Sequence, residues 1–358
     1  MKKTISVGLV VLGIVLGTKV VEATNVSGNV SGNWTLAGSP YIVTANATVQ
    51  NGATLIIDPS VEVRFAQNTS LIVQGTLSAA GAPLGTITFT ASSTTPSAGF
   101  WQSIKFSGSN AKGTLSYCEI RHAKQAVYLE NVSGITITHN FIHDNKGDAG
   151  VGEGSPGGVG AGIYLSSSTN TTLAENTILE NRGGQGGGGG YGPAGFGGMG
   201  YGIYVGESAG NFILKNTIGS TTGGQGGAGY TYNSSPARPG GIGCGIYLTS
   251  SRDNIILENN ISENIGGQGG NGCDSAQSGE AGGIGCGIYL LSSTNTTVSK
   301  NNIFANTGGQ GGGGSPWAWG GVGGIGCGIY LLSSTNTTVS KNTISTNTGG
   351  QGGKGGFA

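Results

Sequence analysis

The stretch GIYLLSSTNTTVSKNTISTNTGGQGG, from Gly328 to Gly353, occurs nearly word for word from Gly287 to Gly312. Weaker copies begin at Gly245, Gly202 and Gly162, and a degenerate one at Ala126. The six align without a gap over twenty residues, numbered as repeat positions 1–20. Position 15 is always Asn (Asn140, Asn176, Asn216, Asn259, Asn301, Asn342), and position 17 is always Ile. Self-similarity of this kind constrains the fold more than composition does, because each copy must become one structural unit.

Each copy holds three short runs of β-formers, as in IYL, TTV and NTI, separated by turn-forming Ser, Thr, Asn and Gly. Apolar residues do not recur at i, i+3, i+4, i+7, so a helix is excluded. One copy has too few large apolar side chains to fold alone. Stacked copies bury positions 2, 4, 12 and 17 in one column, which in the last copy are Ile329, Leu331, Val339 and Ile344. The expectation is an all-β parallel solenoid with coils about 4.8 Å apart, its Asn at position 15 forming a ladder of stacked amides inside a turn. The pattern GIYL-SS-N-T-NTIS-N also resembles the coil repeat of right-handed parallel β-helix proteins, the pectate-lyase-like superfamily and especially its NosD-type repeats. The resemblance covers about 126–348. It implies a right-handed single-stranded parallel β-helix. It does not imply one function, since that fold carries lyases, hydrolases, epimerases, adhesins and binding proteins.

Along the chain, residues 1–23 read as a secretory signal: Lys2 and Lys3, an apolar run from Ile5 to Leu16, and a small-residue cleavage site at Val21-Glu22-Ala23. The run is too short to span a bilayer comfortably, so no membrane span is expected after its removal. Residues 24–125 read as an N-terminal cap anchored by Trp34, then three or four irregular coils with period-two alternation, as in TLIIDPSVEVRF. This part resembles the coils found ahead of β-helix repeats in secreted proteins. Regular repeats occupy 126–348, and 349–358 is a Gly-rich tail. With 16 basic and 16 acidic residues in 358, and 9% charged residues overall, the chain lacks the basic surface that a nucleic-acid or anionic-membrane partner favours.

Between position 20 and the next copy each coil carries an insertion: 146–161, 182–201, 222–244, 265–286 and 307–327, with a sixth starting at Thr348. These hold much of the chain's 75 glycines, and most open with GGQGG. All leave the solenoid at the same corner and so form a row. Two arrangements suit such spacing: threefold polyglycine arms bonded sideways, or a fringe of mobile linkers. Tyr191, Phe196, Tyr230, Tyr232, Trp317 and Trp319 stand as loop-tip contacts or hydrophobic pins. Cys244, Cys286 and Cys327 precede GIYL at position 0, where alternation predicts an inward, buried thiol stack; Tyr201, in the same slot, is bulky for a core position. Position 14 (Glu175, Lys215, Glu258, Lys300, Lys341) predicts an exposed ladder of alternating charge.

One cluster has the residue types for chemistry. Position 19 reads His122, Asp144 and Glu180 in successive coils, beside Arg121 and His143 at position 18 and His139 at position 14. An imidazole between carboxylates suits acid–base work, and Asp144 with Glu180 suits a cation such as Ca2+. The bland reading is a solvated corner with chance charge pairing. The lyases of the resembled family use clustered acidic calcium ligands and a basic strand-face residue; no matching cluster is seen, so none of their residues is carried over, and no cofactor is assigned. The leading expectation is a non-catalytic secreted or cell-surface protein that binds extracellular polysaccharide or matrix, or builds an envelope layer. The alternatives are a polysaccharide lyase or glycoside hydrolase at His122, Asp144, Glu180 and His143, and an ice-binding face on Thr169/Thr171 and Thr335/Thr337. The last copy shows no polar substitution, so end-to-end self-association is also expected.

Overall fold

The structure, a computed structural model, describes residues 23–230, 235–273 and 276–356. The leader expected at 1–23, its last residue apart, and Tyr232 lie outside the described residues. Ten rungs of parallel strands stack into a right-handed parallel β-helix. In one regular coil the strands are Gly160–Ser166, Thr172–Ala174 and Thr177–Leu179. Each pairs with its counterpart one coil on: Ile163 with Ile203, Leu173 with Ile213, Ile178 with Ile218. The segment expected to cap the N-terminal end is itself the first rung. There Thr24–Asn29 pairs with Tyr41–Val49, and Trp34 stacks on Tyr41 at 4.7 Å. No helix among the described residues is long and apolar enough to cross a membrane.

Positions 2, 4, 12 and 17 fill the interior as expected; Ile246, Leu248, Ile256 and Ile261 are fully buried, each contributing roughly 1.5–3 kcal/mol. What turns the corners is less visible in sequence. Positions 6, 9, 14 and 19 are left-handed, as at Ser167, Asn170, Glu175 and Glu180, with φ of 49, 52, 57 and 55°. One left-handed residue swings the next side chain inside, and that residue is polar: Ser168, Thr171, Asn176 and Asn181 are all buried. They satisfy one another between coils. Asn216 donates from its backbone N and its Nδ2 to Asn259 Oδ1 at 2.9 and 3.0 Å, and Asn259 repeats both bonds to Asn301. The ladder at position 15 therefore has a second at position 20 (Asn145, Asn181, Asn264, Asn306, Asn347) and a serine counterpart at position 7.

The same corner geometry corrects two expectations. Thr171 and Thr296 are buried, so position 10 adds nothing to an outward threonine array, and the ice-binding face loses one of its two columns. Along position 14 Glu258 pairs with Lys300 at 3.2 Å and Glu175 with His139 at 2.8 Å, but neither Glu175 nor Glu258 pairs with Lys215. Among the described residues Lys215 has no ion pair, and the alternating charge ladder does not form.

Position 0 is corrected too. Gly162, Gly202, Gly245 and Gly287 at position 1 point inward, against the isoleucines of position 17, because a Cβ there would run into Ile Cγ2. Two inward residues in succession break the alternation, so position 0 lies outside the main core. Cys244 and Cys286 are fully buried in a second cluster with Tyr201, Tyr247 and Tyr289. Their sulfurs are 3.0 Å apart as free thiols. Tyr201 fits because this layer lies between the outer sheet face and the loop bases.

The insertions form an ordered bundle. In the second, Gly183 and Gly186 donate to Thr222 and Gln225 of the next loop, both at 2.9 Å. Gly184 and Gly187 donate to Gly158 and Ser155 of the previous loop at 2.9 and 2.8 Å. The third residue of each triplet, Arg182, Gln185 and Gly188, faces outward. This is a threefold extended helix with bonds made sideways, between arms. A Cβ at Gly224 would overlap the Gly184 carbonyl oxygen, so glycine is required here by space, not by a left-handed backbone. Residues 348–356 join the array, with Gly350 and Gly353 donating to Gly324 and Gly321 at 2.8 and 2.7 Å.

Candidate functional site

The structure joins three of the six residues of the corner cluster, Arg121, His143 and Asp144, in an order the spacing does not reveal. His143 bonds Asp144 Oδ2 through Nδ1 at 2.8 Å and Glu119 Oε1 through Nε2 at 3.2 Å. Its ring also stacks on Phe141 at 4.0 Å. Glu119, which holds Arg121 at 3.2 Å as well, is a member that sequence reading missed. It sits at position 16, two residues before Arg121 on the same outward strand face; period two would have found it. His122 instead meets Thr90 Oγ1 at 2.9 Å, and Glu180 pairs with Arg182 at 3.9 Å. His139 stands apart, stacked on Tyr117 and paired with Glu175.

The electrostatics arise from these contacts. Burial alone would lower His143, but the hydrogen bonds and charges of Glu119 and Asp144 outweigh it and raise its pKa above the ordinary value. The Glu119 carboxyl is lowered, first by its bond from His143. Burial pushes Asp144 up, but the bond and charge of His143 bring it below its ordinary range. Burial and then Arg121 lower His122. With both ring nitrogens engaged by carboxylates, His143 has no free nitrogen with which to move a proton to or from a ligand. Among the described residues no three His, Cys, Asp or Glu side chains take a metal-holding arrangement, so no cation is assigned to Asp144 and Glu180.

A second constellation lies on the outer face of the long strands. Glu130 accepts from Lys105 Nζ at 2.9 Å, Ser107 Oγ at 3.1 Å and Tyr128 Oη at 3.0 Å. Burial and then the bond to Glu130 push the Tyr128 phenol up to about 12, and the bond from Lys105 lowers Glu130. Tyr128 opens a column at position 3 that continues through Tyr164, Tyr204, Tyr247, Tyr289 and Tyr330, with ring centroids 4.2–5.7 Å apart. The recurring Tyr of GIYL signalled this column. Lys105 and Glu130 lie outside the motif and carried no signal.

The third feature is the row of loop tips. Tyr191, Trp317 and Trp319 are 87, 74 and 72% exposed, and Tyr230 is also exposed. These side chains stand on a fixed frame. Ala318, between the tryptophans, is buried, and its N–H donates to Ser315 O at 3.0 Å; Ser315 in turn donates to Gln277 O from N and Oγ at 3.1 and 3.0 Å. Trp317 adopts a left-handed backbone, φ 71°, a costly place for a bulky aromatic in so glycine-rich a loop.

Comparison with curated protein sequences finds no match. Solved structures with a similar course of chain include the periplasmic alginate epimerase AlgG, at 15% identity over 88% of this chain and 84% of that one, TM-score 0.41. An alginate lyase from Paenibacillus sp. str. FPU-7 matches at 12% identity over 83 and 93%, TM-score 0.27. Endopolygalacturonase I from Stereum purpureum matches at 12% over 86 and 94%, TM-score 0.29. A family profile described as "Right handed beta helix region" matches residues 85–356, most of the chain and all six copies of the repeat. The chain belongs to the right-handed β-helix family.

Proposed function

We propose that this chain is a non-catalytic binding protein of the extracellular space, and that the tips of its glycine bundle contact saccharide. One observation carries the reading: large aromatic side chains stand exposed on a frame fixed by backbone hydrogen bonds. Rings that stay 72–87% exposed on a fixed frame offer flat apolar faces to a partner. Rigid aromatic groups bind at low entropic cost, and flat rings suit the apolar faces of sugars. The leader-like segment 1–23 supports export. The corner at His122, Asp144, Glu180 and His143 reads as a structural clamp, since its central imidazole has both nitrogens engaged.

The test is a glycan array probed with the wild type and with a Trp317→Ala/Trp319→Ala variant. Binding is expected for the wild type, with about a tenfold or larger loss in the variant. Unchanged binding in the variant would remove the support for this role. A second reading, polysaccharide cleavage, is favoured only by Tyr128, Lys105 and Glu130 on the strand face. It expects turnover in a lyase and hydrolase screen that Glu130→Gln abolishes.

A further inference from the structure

We infer that a trough between the tips of the first three loops is a subsite for an oxyanion carried on a sugar ring, with Arg238 as its anion-binding group. The trough, about 560 Å³, is lined by Glu153, Ser155, Pro193, Phe196 and Arg238, among others. That volume is in the range of small-ligand sites. Three separate loops build it, so it exists only because the bundle holds them side by side.

Arg238 is placed from both sides. Its backbone N–H donates to Gly227 O at 3.1 Å and its carbonyl accepts from Gly270 at 2.9 Å. Its guanidinium lies over the Phe196 ring, Cζ 4.9 Å from the centroid. The chain has five arginines. Arg64, Arg121, Arg182 and Arg252 each have a carboxylate oxygen within 4 Å, at 2.7, 3.2, 3.9 and 3.5 Å. Among the described residues Arg238 has none, and its Nε is buried without a hydrogen-bond partner. Glu153 lines the same trough, yet its Oε2 accepts from the Tyr191 backbone N–H at 2.8 Å. It is thus engaged in holding the second loop.

A permanently charged fork, stacked on an aromatic ring and left without a counter-ion, matches the planar oxygens of a carboxylate or the oxygens of a sulfate ester. Phe196, Pro193 and Pro156 supply the apolar wall that the ring bearing the group would lie against. The inference rests on the proposed saccharide binding and sharpens it: the aromatic tips would hold the sugar, and Arg238 would select for charge.

The full chain is titrated calorimetrically with three probes of equal length: an oligogalacturonate, its fully methyl-esterified and therefore neutral form, and a sulfated neutral oligosaccharide. The wild type is expected to prefer at least one charged probe over the neutral one by about tenfold, less at high salt. Which charged probe binds more tightly tells carboxylate from sulfate. Arg238→Gln should bring charged and neutral affinities within about twofold, and Arg238→Lys should keep part of the preference. A preference that survives in Arg238→Gln would overturn the subsite and leave the saccharide reading standing. No binding of any probe to the wild type would overturn both.

Discussion

At the scale of single residues, this fold is governed by the polar side chain that comes directly after each left-handed corner. Buried as it is, that side chain must give and receive hydrogen bonds along the coil axis, so each ladder is only as good as its least suited rung. Asn259 is satisfied on all sides: it accepts twice from Asn216 and donates to Asn301 and to Ile213 O. Asn259→Ala should therefore cost roughly 1–3 kcal/mol in denaturant melts, while Lys215→Ala, at an exposed site without an ion pair, should cost well under about 1 kcal/mol. Position 10 runs Thr171, Asn211, Asn254, Thr296, and Asn254 Nδ2 is buried with no partner because Thr296 stands on the next rung. Thr296→Asn with Thr337→Asn should supply the missing acceptor and pass the unpaired amide to the half-exposed last coil, stabilising the protein by roughly 0.5–1.5 kcal/mol and raising its melting temperature. The corner clamp makes a prediction in pH. His143 binds its proton more tightly folded than unfolded, so its contribution is complete below 6.5 and fades as pH rises through its raised value. Glu119 and Asp144 bind theirs less tightly when folded, so their contributions are complete above 4.5 and 3.8 and fade on acidification. The stability gap between wild type and His143→Gln should be widest between these limits, about pH 4.5–6.5, and narrow on either side. The invariant Asn at position 15 made one ladder legible in sequence. The second was masked by Thr221 among the asparagines of position 20, and the role of Glu119 is a matter of three-dimensional neighbours on different rungs.

At the scale of elements, the strands carry the core and the glycine arms carry the loops, and the two obey different periods. A strand alternates every second residue. An arm presents every third, which is why Arg182, Gln185 and Gly188 share one outward edge. The arms were legible as a row, from their common corner, while the sideways-bonded lattice stood as one of two arrangements beside a mobile fringe. The X-G-G triplets that distinguish it, Arg182-Gly-Gly-Gln185-Gly-Gly and Thr222-Gly-Gly-Gln225-Gly-Gly, last too briefly to register as a period over the whole chain. The inward direction predicted for the position 0 cysteines failed for a related reason. Alternation holds only while successive residues take opposite faces, and the inward glycine at position 1 interrupts it. Gly224→Ala should part its arm from the preceding insertion, since its Cβ overlaps the Gly184 carbonyl oxygen. Amide exchange at Gly183, Gly184 and Gly198 should rise several-fold while the coil strands stay protected. Exchange unchanged there would mean the arms can part without cost.

At the scale of the whole molecule, the interior is continuous from Trp34 to the last coil, where Leu331, Val339 and Ile344 face solvent. A chain of this sequence, studied alone, should associate with rising concentration through that end, and Ile344→Lys should weaken the association; sedimentation velocity would read both. The fold was legible at this scale because the repeat announces it. The proposed binding surface was legible only as aromatic residues on a row of loops; the trough at Arg238 was not, because it is assembled from insertions whose sequences differ at their tips. Bonded rungs lie 36, 40, 43, 42 and 41 residues apart along the asparagine ladders, yet the ladders stay in register, so all variation in coil length is taken up at the tips. A gene built this way can gain or lose a whole coil by unequal crossing-over between near-identical segments, with each junction meeting a neighbour it already fits. Lineages would then differ in how many tips they display rather than in how any one is held.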